Sequence, residues 1–211
     1  MEKVTKWGSK YAKKADVFAS TPYWKREAEE VVKIFKTYVS KTSGAVLDLG
    51  CNTGRFISLL KEGTGTHGNT VYGVDVNTHG LRVAKERHPD CQFFETPEGI
   101  TEEVGFTAFI HTINQVEDLD KLMDTVWDKM KPGGVIVVVT HNPIPSRLRK
   151  PLNLFNGYKP DSTMVREPTR GELKQMMYEY GFQCKQAYYF GPFPIPFLRR
   201  RMIYVGTKPE V

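Results

Sequence analysis

Two stretches of the chain place polar groups where chemistry can be done. The first is Val46-Leu47-Asp48-Leu49-Gly50-Cys51-Asn52-Thr53-Gly54, a buried-strand pattern running into a glycine turn and then a helix start. Such a junction lets backbone approach a ligand closely, and the unpaired N–H groups at the positive end of the helix favour a negative group. Asp48, inside the apolar run, is an awkward neighbour for a pyrophosphate and a good one for an ammonium group. The second is Asp75, which ends the next apolar run and lies twenty-five residues after Gly50. A carboxylate at a strand end there can accept both hydrogens of a ribose diol. Together the pair points to a nucleoside cofactor at the place where a sheet changes direction. No GxxxxGK[ST] occurs, which removes a phosphate-binding P-loop. Gly50 to Gly54 also lacks the first tight pair of the dinucleotide fingerprint GxGxxG.

Those residues need elements to hold them. Thr21 and Pro22 open a helix whose apolar face is Trp24, Ala28, Val31, Phe35 and Val39. Apolar strands are expected at Ala45–Leu49, Thr70–Asp75, Cys91–Glu95, Phe106–His111 and Val135–Thr140. Helices should separate them: one from Gly54, one capped by Thr78 and running to Arg87, and one from Leu119 to Lys131 that Pro132-Gly133-Gly134 breaks. Short apolar strands alternating with helices imply βαβ units, an α/β fold and a parallel sheet covered on both faces. The rhythm then fails for the 28 residues from His141 to Pro168, a length typical of a lid or binding loop. Thr169-x-x-Glu172 makes a capping box for a helix bearing Leu173, Met176, Met177 and Tyr180. Phe182–Phe190 and Arg200–Thr207 are too closely joined for a crossover helix, so they should pair antiparallel.

Composition narrows the function classes. The chain has 211 residues, enough for one sizeable core, and its longest purely aliphatic run, Val135–Val139, is far too short to span a bilayer. A charged N-terminus without an apolar stretch is not expected to be a secretory signal. Cys51, Cys91 and Cys184 lie far apart, which argues against a zinc ribbon or a disulfide scaffold and fits a reducing cytoplasm. No metal site is expected. The net charge of +6 divides as +4 over residues 1–14, −5 over 15–146 and +7 over 147–211. An acidic middle between basic ends fits an anionic partner at the ends, or simply a solvated basic surface.

In this setting the residues resemble the class I S-adenosylmethionine-dependent methyltransferases. Asp48-Leu49-Gly50-Cys51-Asn52-Thr53-Gly54 is similar to that family's first motif, and Val74-Asp75-Val76 to its second. His111 to Asp118 is similar to the segment after its fourth strand, and Met130-Lys131-Pro132-Gly133-Gly134 to the turn before its fifth. The resemblance covers residues 44–141 by motif and 169–207 by the last strand pair. One departure is Asn52, where the family commonly has Gly; Asn is the non-glycine residue best able to adopt positive φ. The resemblance implies a three-layer Rossmann-like sandwich, with a mostly parallel seven-stranded sheet in the order 3-2-1-4-5-7-6 and strand 7 antiparallel. It implies one domain over residues 44–211, with acceptor recognition in the uncovered segments 1–43 and 142–168. Trp7, Tyr11, Phe18, Tyr23 and Trp24 read as an N-terminal lid and helix over 1–43, the helix from Pro22 packing on the sheet and residues 1–20 mobile. S-adenosylmethionine would be the cofactor, leaving as S-adenosylhomocysteine. Gly50, Cys51, Asn52 and Gly54 would wrap its methionine part and Asp48 would hold its ammonium. Asp75 would bind the ribose, Val76, Asn77, Glu95 and Thr96 would flank the adenine, and His111 and Thr112 would lie beside the transferred methyl.

Methyl transfer from a sulfonium is an in-line displacement in which positioning supplies roughly 7–11 kcal/mol in favourable cases. A base is needed only when the acceptor must lose a proton, and His111 is the candidate, although a strand-end histidine serves equally well in packing. Cys51 reads as a small buried hydrophobe with no base beside it. His141 and Asn142 face either the acceptor or the capping of a loop. No DPPY-type segment or Pro-Cys nucleophile follows the fourth strand. The leading expectation is therefore methylation of an O or N atom of a small anionic or aromatic acceptor. A nucleic-acid methyltransferase, with the basic ends tracking phosphates, and a non-catalytic module of the same fold are the alternatives. An NAD-binding oxidoreductase lacks its fingerprint.

Overall fold

The computed structural model describes residues 8–39, 44–64, 68–144 and 164–210. Seven strands form one sheet: β1 Ala45–Leu49, β2 Val71–Val74, β3 Gln92–Phe94, β4 Val104–Ile110, β5 Met130–His141, β6 Gln183–Phe190 and β7 Arg201–Thr207. Their order is β3-β2-β1-β4-β5-β7-β6. The first five pair in parallel, and β7 runs antiparallel to both β5 and β6. β1, β2, β4 and the stretch of β5 from Val135 to Thr140 are buried almost throughout, since helices cover both faces there, whereas the edge strand β3 exposes Gln92.

The helices are α1 Ser9–Ala19, α2 Pro22–Val39, α3 Arg55–Thr64, α4 Thr78–Arg87, α5 Leu119–Lys129 and α6 Arg170–Glu179. Alternation along β5 sorts the core into two layers. Val135, Val137 and Val139 pack with Val31 and Phe35 of α2, Ile57 and Leu60 of α3, and Leu81 of α4. Ile136 and Val138 face Met123 and Val126 of α5 and Leu173 and Met177 of α6. The three-layer sandwich and the strand order agree with the expectation.

Local signals hold in part. Thr21 accepts from the Trp24 amide at 3.3 Å as the α2 cap, and Thr169 with Glu172 forms the reciprocal capping box of α6. The cap of α4 is Asn77 and not Thr78: the Asn77 side chain accepts from the Gly80 amide. Residues 9–19, expected to be mobile, are the helix α1. Most of the loop assigned to the acceptor, residues 145–163, lies outside the described residues, as do residues 1–7.

Candidate active site

Strand order reverses between β1 and β4, so their C-terminal ends diverge into a crevice of the kind that binds ligands in open α/β sheets. Asp48 lies on β1 between Gly73 of β2 and Ala108 of β4 and is 3% exposed. Its Oδ2 has no hydrogen-bond partner. Burial, reinforced by the nearby charge of Asp75, pushes its carboxyl up to about 8. A buried carboxylate without a counter-charge is costly, so this position calls for a cation.

The turn after β1 is built around close backbone approaches. The amides of Gly50 and Cys51 both donate to Val74 O, at 2.7 and 3.1 Å. Thr112, just beyond β4, donates its hydroxyl to Leu49 O at 2.7 Å and presses against Gly50, where a β-carbon would collide with it. Gly50 also has φ +79°, so both space and backbone conformation require glycine. Asn52 takes φ +45°, as an asparagine can, and its amide donates to Asp75 Oδ2 at 2.9 Å. Its side chain sits against Gly80 of α4, leaving its backbone to shape the turn. Cys51 is buried in the core beside Gly73, and burial pushes its thiol up. It is the small hydrophobe anticipated.

Asp75 Oδ1 accepts from the Asn77 amide at 2.8 Å, so backbone fixes both carboxylate oxygens. Burial raises this carboxyl above its ordinary value while the two amide bonds oppose the shift. Val76 stands out into solvent, 59% exposed, and Asn77 is buried beneath it with its Nδ2 unpartnered. Glu95 and Thr96 are exposed just past β3, where the Asp75 amide donates to Phe94 O at 3.2 Å. Glu95 lines a groove of about 530 Å³ with Thr78, Leu81 and Phe94.

His111 has φ +62°, a left-handed conformation uncommon for a non-glycine residue and found mostly where the surroundings over-determine it. Its Nε2 lies 2.6 Å from Oε2 of Glu27, a residue of α2 with no solvent exposure. The other Glu27 oxygen is 2.8 Å from Arg201 Nε. Arg201 also donates to His141 Nδ1 at 2.9 Å and lies over the Tyr23 ring, 5.1 Å from its centroid. The two histidine rings are 5.1 Å apart. A guanidinium only donates and a carboxylate accepts, so the pairing assigns the tautomers. His141 carries its proton on Nε2. His111 also carries its proton on Nε2, which leaves a lone pair on Nδ1, a buried atom without a hydrogen-bond partner. Burial lowers the His111 pKa, with Glu27 opposing and Arg201 assisting. Burial, then Arg201 and His111, drive His141 down to about 2. Both rings are neutral at pH 7.

Asn142 has the capping role: its side chain donates to the carbonyls of Phe197 and Arg199 at 2.9 and 2.7 Å. Above the crevice, α1 is fastened by Asp16. That carboxylate accepts from Thr53 Oγ1 at 2.6 Å and from Arg55 Nε and Nη2 at 2.8 and 2.7 Å. The Arg55 hydrogen bonds are the largest cause of its pKa falling to about 2. Arg87 donates to Thr53 O and stands 3.7 Å from the same carboxylate. At the end of α1, Phe18 meets the His111 ring edge-on at 5.9 Å.

Sequence reasoning missed Glu27, Arg201 and Asp16. Glu27 did leave a signal, because it falls on the apolar stripe of α2 between Trp24 and Val31, where a charge is out of place. Among the described residues no cluster of His, Cys, Asp and Glu suits a metal ion. No described helix is long and apolar enough to cross a membrane.

Comparison with known proteins agrees with this geometry. A family model described as a methyltransferase domain matches residues 23–187. The ubiquinone/menaquinone biosynthesis C-methyltransferase of Methylococcus capsulatus is 24% identical over 195 residues, covering 76% of this chain and 73% of that enzyme. The ubiquinone biosynthesis O-methyltransferase of Brucella anthropi is 31% identical over 105 residues, covering 46% of this chain and 41% of that enzyme. Magnesium protoporphyrin IX methyltransferase from Synechocystis, solved with bound S-adenosylhomocysteine, shares the fold with a TM-score of 0.64 at 12% identity, covering 87% and 82% of the two chains. Since the matched span takes in α2, the whole parallel sheet and α6, the chain belongs to the methyltransferase-domain family and is an S-adenosylmethionine-dependent methyltransferase of class I fold.

Proposed function

We propose that the protein transfers the methyl group of S-adenosylmethionine to an O or N atom of a small-molecule acceptor, with His111 as general base. The observation that carries this reading is the Glu27–His111 pair, which orients a neutral imidazole with Nδ1 free at the end of β4. The cofactor, when bound, supplies an electrophilic methyl on sulfonium sulfur.

The chain's own residues fit that cofactor. The unpartnered Oδ2 of Asp48 is suited to its ammonium, and the backbone of Gly50, Cys51, Asn52 and Gly54 to the methionine part. Each Asp75 oxygen spends one lone pair on an amide and retains another for a ribose hydroxyl. Val76, Asn77, Glu95 and Thr96 border the adenine side. Thr112 and His111 close the crevice toward the acceptor. His111 Nδ1 takes the proton of a hydroxyl or amine as the new bond forms, and Glu27 stabilises the resulting imidazolium. Burial of His111 beneath Phe18 keeps bulk water from competing for Nδ1.

Two matched relatives are named for ubiquinone biosynthesis, which supports a small aromatic acceptor. One of them is a C-methyltransferase, and a phenol deprotonated by His111 can also react at a ring carbon. A panel of phenols, catechols, carboxylates and amines, assayed with labelled cofactor alongside total RNA, tests the reading. Label should enter at least one small acceptor, and His111→Ala should lower kcat by about 10²–10⁴ with cofactor affinity nearly unchanged. Label confined to RNA, or equal turnover by the variant, would overturn it.

A further inference from the structure

We propose that the turn joining β6 to β7 is a docking element for an anionic lipid surface. Its tip, Pro192-Phe193-Pro194-Ile195-Pro196-Phe197, consists entirely of apolar residues, and all six are exposed. Phe193, Ile195 and Phe197 are 38%, 46% and 48% exposed, values at odds with a core role for any of them. Apolar side chains gathered on one exposed tip mark an interaction site, whereas scattered ones need no explanation.

The backbone of the tip is already prepared for a medium poor in water. Three of its six residues are prolines, which have no amide to satisfy. Four of its carbonyls accept within the protein. Phe193 O takes the Arg199 guanidinium at 2.8 Å, and Phe197 O takes Asn142 at 2.9 Å. Ile195 O and Pro196 O accept from the amides of Leu198 and Arg199 at 3.1 and 3.0 Å. The main chain is thus pinned from inside while the side chains point away. A buried, unsatisfied carbonyl is the chief cost of bringing backbone to hydrocarbon, and here most of that cost is already met.

Charge selects the partner. No acidic residue occurs between Gly191 and Arg201, and Arg200 is exposed at the foot of the tip. The end of α1 has a similar composition: Val17 and Phe18 are 71% and 39% exposed, with Lys13 and Lys14 exposed one turn earlier. The base of the tip lies beside the first turn of α2, where a β-carbon at Gly191 would stand 3.8 Å from the Tyr23 hydroxyl. The only acid of α1, Asp16, is engaged by Arg55. Exposed apolar side chains with a cation at their foot and no acid among them match a bilayer surface with anionic headgroups over hydrocarbon. The tip follows β6 and precedes β7, whose first residue pairs with His141 at the C-terminal end of β5, so it stands at the same end of the sheet as the crevice. Docking would turn the open side of the site toward the lipid.

Flotation of the full chain with phosphatidylcholine vesicles, and with vesicles of equal parts phosphatidylcholine and phosphatidylglycerol, tests the proposal without any acceptor. Its failure would leave the methyl-transfer reading untouched. The wild type should bind the anionic vesicles and lose binding as salt rises. Phe193→Ser/Ile195→Ser/Phe197→Ser should weaken partitioning by at least about a hundredfold with an unchanged unfolding temperature. Arg200→Glu, which reverses one charge at the surface, should weaken it roughly thirtyfold. Absence of wild-type binding, equal binding to the neutral vesicles, or undiminished binding by the triple variant would each overturn the proposal. A lowered unfolding temperature in the triple variant would also overturn it, because the tip would then be covered by the chain itself.

Discussion

Glu27 holds two roles in one buried carboxylate, and Glu27→Gln separates them. The substitution keeps size and shape but removes the charge facing Arg201, whose side chain is 7% exposed against 0% for Glu27. The remaining guanidinium keeps its bond to His141 and its place over Tyr23, neither of which neutralises it. Removing one partner of a buried ion pair costs about 3–5 kcal/mol. For a chain of this size that is a fall of roughly 6–20 °C in unfolding temperature. Arg201→Met leaves a different residue of charge, because Glu27 can then pair with a protonated His111. The His111 pKa should rise in that variant. A raised folded-state histidine pKa adds stability at acid pH that is lost as pH rises through it, so Arg201→Met should be hurt less at pH 5 than at pH 8. The double variant Glu27→Gln/Arg201→Met should be more stable than Glu27→Gln alone. Calorimetric unfolding of the four proteins at both pH values completes the cycle. A Glu27→Gln protein within about 2 °C of wild type, or a double variant no more stable than it, would refute the reasoning.

Asp48 and Asp16 lead to two further expectations. With its free carboxyl at about 8, Asp48 should release close to one proton at pH 7 on meeting the cofactor ammonium. Affinity should therefore rise with pH toward 8, then fall as the ammonium deprotonates. Titration calorimetry in buffers of different ionisation enthalpy measures the release, which Asp48→Asn should abolish; no release from wild type would contradict the assignment. Asp16→Asn should loosen α1 by about 1 kcal/mol, read as faster amide exchange over residues 12–19. Because the Asp16 pKa is depressed to about 2, its contribution is present above the ordinary carboxylate range and lost only as pH falls through that value. Exchange in α1 should thus be indifferent to pH-driven release between pH 5 and 8, and unaltered exchange in Asp16→Asn would contradict the latch.

Much of the sheet was legible in the sequence because a parallel strand covered on both faces is written mainly in apolar residues, with a buried exception such as Asp48 marking the site. Ala45–Leu49 and Val135–Val139 show this plainly. The turn at Gly50 was equally legible, since the close approach of Thr112 admits no side chain there. Helix α1 was not, because its attachment depends on one carboxylate meeting Thr53 and Arg55, residues nearly forty positions away. Glu27 and Arg201 escaped for a related reason. Helical spacing counts apolar residues, and the charge on the buried stripe of α2 acquires meaning only when β7 brings a guanidinium beside it. His111 was singled out by type and position, and the base role proposed for it rests on the tautomer that its contact with Glu27 assigns.

The central claim is that the crevice between β1, β2 and β4 holds the cofactor through Asp75. Titration calorimetry of S-adenosylhomocysteine into wild type and Asp75→Ala tests it directly. Wild type should bind one equivalent, and the variant should lose about 10- to 150-fold in affinity, the loss expected for hydrogen bonds to a charged group. Equal affinity in the two proteins, or no binding to wild type, would contradict it.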